Sequence, residues 1–215
     1  GLRLIQKELA LLPAEDSSSA PEMLDGPFCR LHLRTLAETG LTPRTLFQLF
    51  ALSAGAPAGN GAALEEKLLC LLTLAQEGRL PFSREETAQA VEAWRAAGCP
   101  PCHHSEEFRA AYAPAYRVIR REYVRLLPLL SALDRRLAEK SQVITALEGG
   151  SAAGKTTLAA LLAKIYPECN VFHMDDFFLR PKQRTEARLA EPGGNVDRER
   201  FLEEVESGVE YTSVF

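Results

Sequence analysis

The sequence predicts an all-α N-terminal domain followed by an α/β domain with a parallel sheet, on three observations. Apolar residues recur three and four apart up to about residue 140, the spacing of a helix face. Beyond that point two short apolar runs flank one amphipathic helix. Between the first run and the helix lies the glycine-rich stretch "GGSAAGKTT", so strand, loop, helix and strand come in the order of a βαβ unit. The expected organisation is a helical domain over 1–128, a linking helix over 129–140 and an α/β domain over 141–215 that lacks its later strands.

Composition frames this reading. With 215 residues, 46% hydrophobic and 25% charged, the chain has the make-up of a globular protein of one large or two modest domains. No apolar run reaches the ~20 residues of a membrane-spanning helix, and "GLRLIQKELALLPAEDSSSA" carries charges where a signal peptide would be apolar. A cytoplasmic protein with no membrane partner is therefore expected. Five cysteines at irregular spacing fit reduced thiols better than a disulfide framework. The net charge is −4, with the acidic excess after residue 140, so nucleic acid is not expected as a partner.

In chain order, "LRLIQKELALL", "FCRLHLRTLAE", "PRTLFQLFALS", "ALEEKLLCLLTLAQEG" and "SREETAQAVEAWRAAG" read as helices, with Pro43 and Ser83 suited to opening two of them. The clusters "AEDSSSAPE" and "SAGAPAGNG" read as loops. Glu106 to Lys140 reads as further helical pieces interrupted at Pro114 and Pro128. "QVITALEGG" then reads as the first strand, "TTLAALLAKIY" as a helix and "CNVFHMDDFF" as the second strand, and "GVEYTSVF" begins another extended run.

The glycine-rich loop carries the most chemistry. Gly149, Gly150, Ser151, Ala152, Ala153, Gly154, Lys155, Thr156 and Thr157 satisfy G-x-x-x-x-G-K-[ST], a match expected by chance on the order of once in a hundred chains of this length. Glycines there let backbone N–H groups turn inward around an anion, and the helix N-terminus adds its positive dipole end. Lys155 would place a full charge near the β and γ phosphates of ATP, and Thr156 would offer a hydroxyl to Mg²⁺. A plain glycine turn needs neither the lysine nor the threonine. The expected fold is accordingly a P-loop nucleoside-triphosphate-binding fold.

"HMDDFFLRP" puts Asp175 and Asp176 at the carboxyl end of the second predicted strand, the edge where ligands of open α/β sheets sit. There Asp175 would accept a proton from an attacking hydroxyl and approach the metal. Both could equally be solvated loop acids. Together, "GGSAAGKTT", "MDDFF" and "GGNVDRERF" resemble the uridine kinase and phosphoribulokinase group of P-loop kinases, especially the divergent bacterial uridine kinase-like proteins with an additional N-terminal region. The resemblance covers roughly 141–215. It implies that Asp175 activates the acceptor hydroxyl, that Asp197 holds the acceptor's ribose hydroxyls and that Phe178 lines the acceptor site. Phe178 stands where the group usually has tyrosine, and no His-Pro comes after the Asn-x-Asp, so a sugar or another nucleoside remains open as acceptor.

Other motifs read more plainly. "CPPCHH" supplies Cys99, Cys102, His103 and His104, half of a zinc pattern, yet reads as a proline-rich connection. Arg117, Arg120, Arg121 and Arg125 read as a wet helix face, and Arg180, Lys182, Arg184 and Arg188 as a solvated loop. Phe47, Phe50 and Trp94 read as core. The function expected is ATP-dependent phosphoryl transfer to a small-molecule hydroxyl; a nucleotide-dependent binding module is the alternative. A complete doubly wound domain wants on the order of 150 residues. From residue 141 onward the chain falls well short of that, so it is expected to be a piece of a longer protein that binds nucleotide weakly and is poor or inactive in phosphoryl transfer, its open sheet edges covered by a second copy or by the helical region.

Overall fold

The computed structural model describes residues 1–12, 20–24, 26–55 and 60–206. The chain divides into two compact units, Gly1–Leu129 and Leu130–Phe215.

The first unit is not all helical. Its centre is a three-stranded antiparallel sheet in the order β1 (Glu22–Met23), β2 (Phe28–His32) and β3 (Tyr116–Arg120). Two stretches expected as helices are therefore strands. In "FCRLH" the apolar positions satisfy both a helical and an alternating spacing, and the structure takes the alternation: Cys29 and Leu31 are buried while Phe28, Arg30 and His32 are only partly covered. β3 carries Val118 and Ile119, β-branched residues at home on a pleated surface, and Cys29 pairs with Ile119 and Leu31 with Arg117. The segment after it, Arg121–Leu126, is a 3₁₀ turn.

Helices cover one face of this sheet. α1 (Leu2–Ala10) packs on α3 (Pro43–Ala54), and α3 packs on β3. Ile5, Leu46, Leu49, Leu31, Cys29 and Ile119 are completely buried. α3 opens as expected, with Pro43 at its first position and Thr42 accepting the Thr45 N–H. Ser53 in its last turn is buried and used twice, donating to the Leu49 carbonyl at 2.6 Å and accepting the Arg120 N–H at 2.9 Å. Glu8 on α1 lies between Arg117 at 2.7 Å and Arg109 at 3.3 Å, so Arg117 on the covered face is paired. On the other face, Arg30 sits between Glu22 and the Tyr116 ring, whose hydroxyl is 2.9 Å from His104 Nε2. α2 (Arg34–Thr39) comes after β2 and ends at Gly40 in the left-handed region. α4 (Gly61–Gln76) and α5 (Arg84–Ala96) pair as a hairpin, α5 opened by a capping box between Ser83 and Glu86. α6 (Glu106–Tyr112) precedes β3.

The second unit departs further from expectation. α7 (Leu127–Glu139) runs in from the first unit, and α8 (Lys155–Ile165) starts directly after the glycine loop. The Tyr166 hydroxyl donates to Asp134 at 2.9 Å, and Leu130, Leu162 and Ile165 are buried. The parallel sheet is absent among the described residues, which overturns the P-loop α/β fold expected from sequence. Neither "QVITALEGG" nor "CNVFH" is a strand: Ile144 is 57% exposed and Phe172 51%. A parallel strand is stable when helices cover both faces and neighbours pair both edges. Here α8 is the only helix of more than two turns after α7 among the described residues, so these runs stay in contact with water. The extended run "GVEYTSVF" lies outside the described residues.

The rest of the unit is a compact loop assembly. Met174–Phe177 and Pro181–Gln183 are 3₁₀ turns, succeeded by α9 (Glu186–Ala190), α10 (Arg198–Phe201) and a π-helical turn at Leu202–Glu206. Phe178 and Val196 form one antiparallel bridge, flanked by the Leu179 N–H on the Asn195 carbonyl at 2.9 Å and the Asp197 N–H on the Phe177 carbonyl at 2.7 Å.

Candidate functional site

The glycine loop leads directly into α8. Gly149 (φ +151°), Ala152 (φ +59°) and Gly154 (φ +84°) turn the backbone through conformations that favour glycine, and Gly154 caps the helix with no side-chain acceptor. The first main-chain bond of the helix runs from the Leu158 N–H to the Gly154 carbonyl at 2.9 Å. The N–H groups of Lys155, Thr156 and Thr157 therefore point out of the helix end with no carbonyl behind them. Lys155 folds back across the loop, its Nζ donating to the Gly149 and Gly150 carbonyls at 2.8 Å each. Ser151, Ala152, Ala153, Thr156 and Thr157 are exposed. This donor set fits the oxygens of a phosphate chain: three amide N–H groups, an ammonium, and a hydroxyl at Thr156 for a cation beside them.

A second cluster gathers the acids. Asp175 and Asp176 sit exposed in the Met174–Phe177 turn. Asp197 caps α10 and is only 4% exposed. Its Oδ2 accepts Gln183 Nε2 at 2.8 Å and its Oδ1 accepts the Arg200 N–H at 3.2 Å. The Gln183 hydrogen bond, then the Arg200 N–H and the nearby Arg200 and Arg180 charges, hold the Asp197 carboxyl below the usual range despite its burial. Arg200 also donates to the Asp176 carbonyl and lies 5.0 Å over the Phe177 ring. Phe178 is 43% exposed beside them. An open groove runs past this cluster, lined by Arg180, Lys182, Gln183, Asp197, Glu199 and Arg200.

The structure thus brings Asp175, Phe178 and Asp197 into one neighbourhood through the Phe178–Val196 bridge. Among the described residues, no hydrogen bond or ion pair links that neighbourhood to Gly149–Thr157. Gln183 and Arg200 are site residues that sequence reasoning passes over. Arg200 carries a legible signal, an arginine three residues after a capping aspartate, whereas nothing marks Gln183. The basic run expected as a solvated loop is partly engaged, since Arg188 bonds Glu199 and Arg184 bonds the Leu179 carbonyl. Among the described residues, no three His, Cys, Asp or Glu side chains come together in a group that could hold a metal, Cys99, Cys102, His103 and His104 included. His104 stacks instead on Phe108, with ring centres 4.5 Å apart. Trp94, expected in the core, is half-buried, and its indole N–H donates to the Pro100 carbonyl at 2.9 Å. No described helix is long and apolar enough to cross a membrane. No protein-family model, curated protein or solved structure matches the chain.

Proposed function

We propose that the chain acts in the cytoplasm as an ATP-dependent phosphotransferase on a small-molecule hydroxyl, a nucleoside or a sugar. The observation that supports this reading is the open N-terminus of α8 behind a glycine loop with Lys155 at its mouth. Lys155 would release the Gly149 and Gly150 carbonyls to meet phosphate oxygens, and the N–H groups of Lys155, Thr156 and Thr157 would orient them. Mg²⁺, when bound, supplies charge neutralisation on the phosphates, and Thr156 and Asp175 are the residues that would hold it. Asp175 would take the proton from the acceptor oxygen, and Asp197 would accept the acceptor's other hydroxyls.

ADP release measured with Mg²⁺ and ATP, in the presence and absence of nucleosides and pentoses, tests this directly. One acceptor is expected to raise release above the water-only rate, and Asp175→Asn to cut it by ~10²-fold while leaving ATP binding intact. ATP binding without stimulation by any acceptor contradicts phosphoryl transfer. That outcome favours the second reading, a nucleotide-dependent binding module, which the lack of any polar link between the glycine loop and the Asp175 turn among the described residues also supports.

A further inference from the structure

Two stretches of chain, 174–183 and 197–201, meet at Asp197, and two side chains make the meeting. Gln183 uses both ends of its amide: Oε1 accepts the Arg180 N–H at 2.8 Å, and Nε2 donates to Asp197 Oδ2 at 2.8 Å. Only an amide of this length can do both, because a carboxylate would face the aspartate acceptor to acceptor. Arg200 works from the other side. Its N–H meets Asp197 Oδ1 at 3.2 Å, its guanidinium donates to the Asp176 carbonyl, and its plane covers Phe177, which sits edge-on to Phe201 at 5.1 Å. The turn bearing Asp175 is thereby fastened to the residue that caps α10.

We propose that Gln183 and Arg200 are positioning residues that hold Asp197 and the Met174–Phe177 turn as one platform, on which an acceptor hydroxyl entering the adjoining groove is presented to Asp175. The acceptor's part in this rests on the phosphotransferase reading above; the platform itself does not. Burial alone would favour a neutral Asp197, and protonation would turn one of its oxygens into a donor and weaken it as an acceptor for hydroxyls. The two donors keep it ionised and aimed. Gln183 lines the groove beside it, so an acceptor reaches the same carboxylate from the open side.

The test uses the full chain and the isosteric substitution Gln183→Glu. In that variant two carboxylates face each other across the former hydrogen bond, and one proton shared between them restores it, so their joint pKa is raised. A raised folded-state value stabilises below the unfolded pKa and is lost as pH rises through the folded one. Gln183→Glu is therefore expected to melt near the wild-type temperature at about pH 4 and to fall progressively below it toward pH 8. Arg180, Lys182, Arg188, Glu199, Arg200, Glu203 and Glu204 surround the pair in both proteins, so the difference between the two profiles reports the new carboxylate. Gln183→Met, which removes both bonds without adding charge, is expected to lower the melting temperature equally from pH 5 to 8. With whichever of uridine, cytidine or ribose the wild type phosphorylates fastest, Gln183→Glu is expected to raise that acceptor's KM about tenfold at pH 7, to narrow the gap at pH 5, and to leave the KM for ATP unchanged.

Parallel melting profiles for wild type and Gln183→Glu overturn the platform. An altered profile with an unchanged acceptor KM overturns the positioning role. Failure of the wild type to phosphorylate any of the three overturns the phosphotransferase reading and the acceptor role with it, while the melting profiles still decide whether the platform exists.

Discussion

Asp197 shows how a single side chain can be both buried and charged. Two hydrogen-bond donors offset the cost of taking its carboxylate out of water, and its folded-state pKa lies below the unfolded one. A depressed carboxyl contributes stability above its unfolded pKa and loses it as pH falls through the folded value. Wild type is therefore expected to lose melting temperature as pH drops below about 4, and Asp197→Asn to lose less over the same range. Thermal melts from pH 2 to 6 compare the two slopes, and identical slopes would show that Asp197 is unperturbed. At this scale the sequence is partly legible. Lys155 and Thr156 belong to a contiguous motif whose geometry is local, and the structure places them at the start of α8 behind a glycine in the left-handed region. The role of Gln183 depends on a contact with a residue fourteen positions away. No periodicity or spacing rule registers such a pairing, because the loop that brings the two together is set by the Phe178–Val196 bridge.

Among the elements, β2 and β3 show where pattern reading fails. "FCRLHLR" places apolar residues at positions that fit either period, and in "YRVIRREYVR" the charges draw more notice than Val118 and Ile119. The partner decides between helix and strand: β2 and β3 pair over five residues, and α3 packs on β3. The seam between α3 and β3 depends on Ser53, whose hydroxyl takes the Arg120 N–H within the buried interface. Ser53→Ala leaves that N–H without its acceptor and is expected to cost about 1–3 kcal/mol. Urea unfolding measures this, with an unchanged midpoint counting against the role assigned to the hydroxyl. Helices with strong local signals are legible, α3 through Pro43 and α5 through Ser83, because caps and propensities act within one turn.

For the molecule as a whole, the change of texture near residue 140 is real in the sequence, yet the second unit does not form the parallel sheet that the texture suggests. A βαβ unit is stable through burial of its strands between helix layers, and the described residues of the second unit give "QVITALEGG" and "CNVFH" no such cover. The phosphate-binding proposal does not depend on that sheet, because the geometry it calls for is local. It needs a glycine loop, an open helix end and a lysine, all held between Gly149 and Thr157. The measurement that tests it most directly is calorimetric titration of Mg²⁺ and ATP into the wild-type chain and into Lys155→Ala, with circular dichroism to verify that both are folded. The wild type is expected to bind and Lys155→Ala to lose at least about tenfold in affinity, since a charge-assisted contact to phosphate is removed. Equal affinity in the two proteins, or no binding to the wild type, would contradict the assignment of this loop as the nucleotide site.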